Sequence, residues 1–472
     1  MVAVFVLARA YLAATSPCWG CFSIVVGKDA SADGHVIVAH NEDDGAPQIV
    51  NHHKVGRKRR AAATVTLRNG GVLEQVEQTW AYLWSEMPGM LFSDSYLNEW
   101  GVTVTSDNCP SREDGPEITD GGIGYMLRRL VAERAKTARE GVLLAGKLVE
   151  RFGYIDSGRT YIIGDPDEGW LFCVVNGKHW MARRVPDDHV AMVANTYTIR
   201  EVDLADDANF LASADIIDYA KKRRWYDPHT DGAFDFAAAY ANPDSASNPS
   251  NTGRQWSGLT CVTDQRLAPG PDLPFSVVPK AKLSVLDVMQ ILRHDKSGET
   301  GAVPPDSRIV CALCSGATQT SFVAQLRKDP PRDITLVYWV CLASPRTSFY
   351  LPFHFGISRF PAGFCLSSAR PTDRLYRRKV QASFTPNPQE GFWTFSSFRD
   401  KIENEVAAKK TAVQEAARRM EQNAMDLQGP VEQAARRLYP ADNAAAARLL
   451  ENYSKGVYLS CLETMSATLL QE

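Results

Sequence analysis

Cys21 heads the stretch Cys21-Phe22-Ser23-Ile24-Val25-Val26-Gly27, and a run of side chains able to do chemistry, His40-Asn41-Glu42-Asp43-Asp44, follows about twenty residues on. A cysteine attacks as its thiolate, so it needs a base. If residues 1–20 are removed, that base is residue 21's own α-amino group. Its unperturbed pKa of about 7.7–8.0 lies close to the thiol's value of about 8.5, so the proton transfer costs only about a kcal/mol. An internal Cys21 would need a histidine instead, and burial statistics alone favour an inert strand cysteine. Cys18 is the competing nucleophile, but it lies beside Pro17 and outside the β-rich run. Glu42 and Asp44 are of the type that pairs with a substrate ammonium, the plainer reading being a solvated acidic loop. Asn108 and Asn195 each close a predicted strand, where an asparagine is ordinarily a turn former.

The elements that must position these groups begin with a hairpin. Two β-branched runs, 21–27 and 35–43, flank the turn formers Lys28-Asp29-Ala30-Ser31-Ala32-Asp33-Gly34. A turn centred near Ser31 sets Cys21 opposite Asn41, so thiol and carboxylates meet at one end of a ribbon. Further strands are expected at 63–67, 78–84, 102–105, 160–163 and 190–193, with a hairpin around Asn176-Gly177. Asn98-Glu99-Trp100-Gly101 reads as a turn. Leu127, Leu130, Val131, Ala135 and Ala138 recur at helical spacing, and a second helix is expected over 142–152. Helices are also expected over 209–224 and 233–241. The Pro, Asn and Ser-rich stretch 242–253 reads as an exposed loop. Ser284-x-x-Asp287 caps a helix to Arg293, and residues 321–327 and 335–341 return to β.

The last seventy residues change character. Ile402, Val406, Val413, Ala417, Met420, Ala424 and Leu427 form one stripe of a helix that Gly429-Pro430 is expected to stop, with helices over 431–438 and 441–465 after it. That stripe leaves room for a coiled-coil contact between copies, so a homo-oligomer stays open. The expected divisions are 1–20, a removed propeptide or signal-like segment; 21–400, the catalytic domain; and 401–472, a helical extension. Strands and helices in this order suggest sheets covered by helices on both sides, an α+β architecture.

With 472 residues, 44% hydrophobic and 23% charged, the chain can bury a large core. A net charge of -3 gives no reason to expect a nucleic-acid partner. No apolar run reaches membrane-spanning length. The ten cysteines lack paired spacing, and neither Cys311-x-x-Cys314 nor His52-His53 makes a zinc site on its own. No cofactor is implied. Apolar residues 2–6 and 11–14 with small residues before Cys21 favour a secreted or lumenal destination over a cytoplasmic one, although Arg9 and the lack of a basic start argue for a propeptide.

The opening Cys21-Phe-Ser-Ile-Val-Val-Gly27-Lys28-Asp-Ala-Ser31-Ala-Asp33-Gly34, followed by Asn41-Glu42-Asp43, resembles the cysteine dipeptidases of the N-terminal-nucleophile hydrolases, a group that includes the secernins. Lys178-His179-Trp180, Arg184-Val185-Pro186-Asp187-Asp188, residues 209–213, Phe234-Asp235-Phe236 and residues 321–327 extend the likeness over most of 21 to about 400. The resemblance implies a four-layer αββα sandwich and hydrolysis of a dipeptide or short peptide through a thioester on Cys21. It implies that Asp43 holds the Cys21 amine and that Asn108, ten residues after the Asn98 turn, and Asn195 supply oxyanion donors, as in penicillin acylases and bile salt hydrolases. His40 stands where Arg is common and is the partial substitute for that residue's substrate-side contact, a strand cap being the alternative, whereas Glu42 and Asp44 are substrate-side candidates by residue type alone. The same groups serve an acylase, and the His40 departure fits a silent secernin-like protein, so those two readings stand as alternatives.

Overall fold

A computed structural model describes residues 20–44, 50–61, 63–87, 92–294, 312–364 and 386–470. Cys18 and Cys311, and the expectations that rest on residues 1–19, lie outside the described residues.

The labelled strands are β1 (Phe22–Val26), β2 (Ile37–Asp43), β3 (Thr103–Asn108), β4 (Tyr154–Gly164), β5 (Gly169–Gly177), β6 (Val190–Val193), β7 (Thr318–Leu326), β8 (Leu336–Leu342) and β9 (Tyr350–His354). One sheet of seven strands runs Ser276–Val277, β6, β1, β2, β7, β8, β9. The other, of eight, runs Phe210–Ala212, Trp180–Arg184, β5, β4, β3, Phe92–Asn98, Tyr82–Met87, Asn51–Val55. The sheets face each other where β1 meets β3 and β4, and β2 meets β4. Helices α1 (Met126–Arg134) and α2 (Ala138–Phe152) cover the outer face of the eight-stranded sheet. On the outer face of the seven-stranded sheet lie α3 (Pro249–Val262), α4 (Val285–Leu292), α5 (Gly391–Glu403), α6 (Ala407–Leu438) and α7 (Asn443–Leu470). The result is a four-layer αββα sandwich with C-terminal helices.

β1 is buried from end to end because it has a sheet on one side and helices on the other, which explains its near-continuous apolar run. Gly27 ends it where the backbone passes too close for a side chain: a Cβ there would lie 2.3 Å from the Asp187 carbonyl oxygen. The Gly27 amide instead donates to His189 O at 2.9 Å.

Four local expectations are corrected. In the hairpin Phe22, not Cys21, faces Asn41, so Cys21 comes level with Glu42. That pairing puts the centre of the ten-residue connection between Val26 and Ile37 half a step past Ser31, between Ser31 and Ala32. The stretch 209–224 divides into the edge strand Phe210–Ala212 and a short helix, Ile216–Lys222. The stretch 242–253 is two capped helical starts and not a loop: Asn242 caps Pro243–Ala246 and Asn248 caps α3. Gly429-Pro430 does not stop α6, which continues to Leu438. Proline forfeits one hydrogen bond, but Glu421 before it grips Arg293 at 2.6 Å and Glu432 after it is held by Arg327 at 2.9 Å.

Candidate functional site

Cys21 immediately precedes β1, at the end of the inter-sheet space, and lies on the edge of a cleft of about 700 Å³. Gly20, Glu42, Asp43, Asp44, Asn108, Tyr125, Asp156, Arg159, Asn195, Asp244 and Asn251 also line it. The β1–β2 register decides which groups meet. Cys21, Ser23, His40 and Glu42 share the face that looks at β3, because cross-strand partners point the same way. Asn41 points the other way, donating to Leu292 O at 2.9 Å and Leu313 O at 2.8 Å.

The Cys21 thiol lies 3.9 Å from the carbonyl oxygen of Asp43 and within 4.8 Å of a Glu42 carboxylate oxygen. The Asp43 carboxylate accepts from Ser315 Oγ at 3.3 Å, and its Oδ1 has no partner among the described residues. Asp43 is thus beside the nucleophile, with its backbone carbonyl nearest the sulfur. Burial, followed by the charges of Glu42 and Asp107, raises the thiol pKa well above its ordinary value. Such a thiol rests protonated and needs a base.

His40 does not line the cleft. It is fully buried, with Nδ1 at 2.8 Å from Ser23 Oγ and Nε2 at 3.0 Å from Glu42 Oε2 and 3.3 Å from Asp94 Oδ1. Ser23 in turn donates to Asp107 Oδ2 at 2.5 Å. Burial pushes the carboxyls of Glu42, Asp43 and Asp94 up to about 7 and that of Asp107 to about 6, and pushes the His40 imidazole down.

Asn108 and Asn195 come together at the cleft rim, where Asn195 Nδ2 donates to Asn108 O at 2.9 Å. Asn195 takes the left-handed conformation, φ 59°, which turns the chain at the end of β6. Asn108 Oδ1 accepts from Ser157 Oγ at 2.9 Å.

Sequence reasoning missed Arg254. On α3, and 1% exposed, it donates to Gly20 O at 2.6 Å, Cys21 O at 2.7 Å, Asn195 Oδ1 at 2.8 Å and Asn251 Oδ1 at 3.1 Å. It therefore joins the strand bearing the thiol to the asparagine at the rim. Asn242-Pro243 and Asn248-Pro249, each a cap followed by proline at the first helical position, were the available signal. Asp94 and Asp107, the buried acids beside His40, had none, since each reads as an ordinary strand residue.

The model for peptidase family C69 matches residues 101–380. The chain is 25% identical over 418 residues to "Probable dipeptidase B" of Streptococcus pyogenes serotype M1, covering 81% of this chain and 78% of that protein. It is 27% identical over 362 residues to "Probable dipeptidase" of Salmonella dublin, covering 73% and 82%. Among solved structures, penicillin V acylase from Agrobacterium tumefaciens aligns at 11% identity and a TM-score of 0.36, covering 72% of this chain and 87% of that one.

Proposed function

The chain belongs to peptidase family C69, and on that premise we propose that it is a cysteine dipeptidase whose nucleophile is Cys21. The observation that carries the reading is the setting of the sulfur: at the edge of an open cleft, beside Asp43 and Glu42, with Asn108, Asn195 and Arg254 around it. The thiol attacks the peptide carbonyl, the amine product leaves, and water resolves the thioester. A thiol raised in pKa by burial needs an adjacent base, and the α-amino group of residue 21 supplies one once residues 1–20 are removed. Asp43 then positions that amine. In this reading side-chain N–H groups of Asn108 and Asn195 serve the developing oxyanion, where one good donor contributes about 3–4 kcal/mol. Glu42, Asp44, Asp156 and Asp244 give the cleft an acidic wall suited to a free N-terminal ammonium.

In the chain described here the Cys21 nitrogen is still joined to Gly20, whose carbonyl is held by Arg254. Cleavage of that bond frees the base and releases the Arg254 donor that held the Gly20 carbonyl.

A panel of dipeptides, with matched N-acyl amines as a control, tests the proposal on the wild type, Cys21→Ala and Cys21→Ser. Dipeptide turnover abolished in Cys21→Ala, by a wild-type chain whose mass begins at Cys21, is expected. Equal turnover by Cys21→Ala would end the reading, and cleavage of acyl amines alone would replace it with an acylase.

A further inference from the structure

We propose that Cys21, His40 and Glu42 form a binding site for a thiophilic divalent transition-metal cation, Zn2+ being the expected one, and that its occupancy holds the nucleophile out of reaction. The thiol sulfur, one imidazole nitrogen and one carboxylate oxygen of these three buried residues all lie within 4.8 Å of one another. Thiolate, imidazole and carboxylate are the zinc donor set, and bonds of about 2.0–2.3 Å draw such atoms together with small side-chain movements.

Hydrogen bookkeeping around His40 points to a cation independently of that spacing. Ser23 Oγ has one proton and gives it to Asp107 Oδ2 at 2.5 Å. It must therefore accept from His40 Nδ1, 2.8 Å away, which places the neutral ring's lone pair on Nε2. That lone pair faces two carboxylate oxygens, Glu42 Oε2 at 3.0 Å and Asp94 Oδ1 at 3.3 Å. Asp94 is 1% exposed, and its Oδ1 makes no hydrogen bond among the described residues. Three acceptors converge, and when both carboxyls are ionised no proton lies between them. A cation at this point meets them all, with His40 Nε2, Glu42 and Cys21 as ligands and Asp94 adding negative charge on the same side of the ring. The Ser23–Asp107 pair fixes the tautomer that presents Nε2, as the outer partners of ligating histidines do.

Cys21 and Glu42 both border the cleft, so the ion has an entry path and a fourth position open to water. The thiol must lose its proton on binding, and that proton passes to buffer. The sulfur's lone pair is then engaged by the metal, and acylation waits for its release.

The test uses the purified full chain and Co2+ as a spectroscopic stand-in, with Zn2+ as competitor, and reads binding without turnover, so it can fail while the dipeptidase reading survives. One equivalent of Co2+ is expected to give a thiolate-to-cobalt charge-transfer band that Zn2+ abolishes. The band should disappear in Cys21→Ala, and affinity should fall at least tenfold in His40→Gln, with folding of both checked by near-ultraviolet circular dichroism. Cys21→Ala only removes an atom, so that comparison stands if His40→Gln does not fold. A band that survives Cys21→Ala, undiminished affinity in folded His40→Gln, or no band at saturating Co2+ would overturn the site.

Discussion

Arg254→Lys is the substitution that separates charge from geometry at this site. A guanidinium carries five N–H donors, and all five are engaged here: Nε with Ser250 O at 3.0 Å, Nη1 with the Gly20 and Cys21 carbonyls, Nη2 with the side-chain oxygens of Asn195 and Asn251. Lysine keeps the charge and has three donors. With Gly20 removed four acceptors remain, so at least one buried acceptor is left unpaired, at about 1.5–3 kcal/mol for a bond to a charged group. Expressed in kcat/KM, that is a loss of roughly 10- to 150-fold. It should fall mainly on kcat, because the lost fork orients Asn195 rather than holding substrate. Steady-state kinetics on a dipeptide, with Asn195→Ala and the double variant completing a cycle, gives the assay. If Arg254 acts through Asn195, the double variant loses less than the product of the two single losses. Strict multiplicativity, or Arg254→Lys within threefold of wild type, would refute this reasoning; a fall in Tm alone would mark Arg254 as merely structural.

Two further outcomes follow from groups remote from the cleft. Burial raises the Glu432 carboxyl, but bonds from His354 and Arg327 overcome this and hold it at about 2 against an ordinary 4.5. Its stabilisation is therefore complete above the unfolded value of about 4.5 and is lost as pH falls from there toward 2, reaching about 2 kcal/mol by pH 3. Denaturant unfolding of Glu432→Gln should be flatter over that range by this amount; parallel curves would contradict the assignment. Gly146→Ala sets two effects against each other: helix propensity favours alanine by about 1 kcal/mol. However, a Cβ at 146 would lie 2.3 Å from Trp180 Cζ2, and that indole is anchored by its bond to Glu150 at 2.9 Å, so overpacking of about 1–3 kcal/mol should prevail and lower Tm.

Much of the layer order could be read from the chain because period and punctuation agreed with the final packing. The Cys21 and His40 strands, the Asn98 turn and the Ser284 cap all took their expected forms. What escaped was non-local. Ten residues separate the hairpin strands, and a half-step shift in its centre is invisible in composition, yet it moves Glu42 onto the thiol's face and Asn41 off it. His40 read as a substrate-side residue because it stands where the resembled family commonly has Arg. In three dimensions its neighbours are Ser23, Asp94 and Asp107, from three other strands, and they close over it.

Proline and asparagine misled in the same way at two places. In 242–253 they marked helix starts and were read as a loop; at 430 proline was read as a stop and the helix continues. Local propensity at these points amounts to about 1–3 kcal/mol, which anchoring contacts elsewhere can outweigh. α6 runs on because Glu421 and Glu432, on either side of the proline, are clamped to Arg293 at the end of α4 and to Arg327 just past β7. α3 matters more for chemistry, since the cap that starts it sets the turn on which Asn251 and Arg254 stand. Site residues on an element whose start is misread cannot be found from their own identity. Arg254, a buried cation like Arg159 at the same cleft, becomes meaningful only when the fold brings the end of β6 and the head of β1 to it.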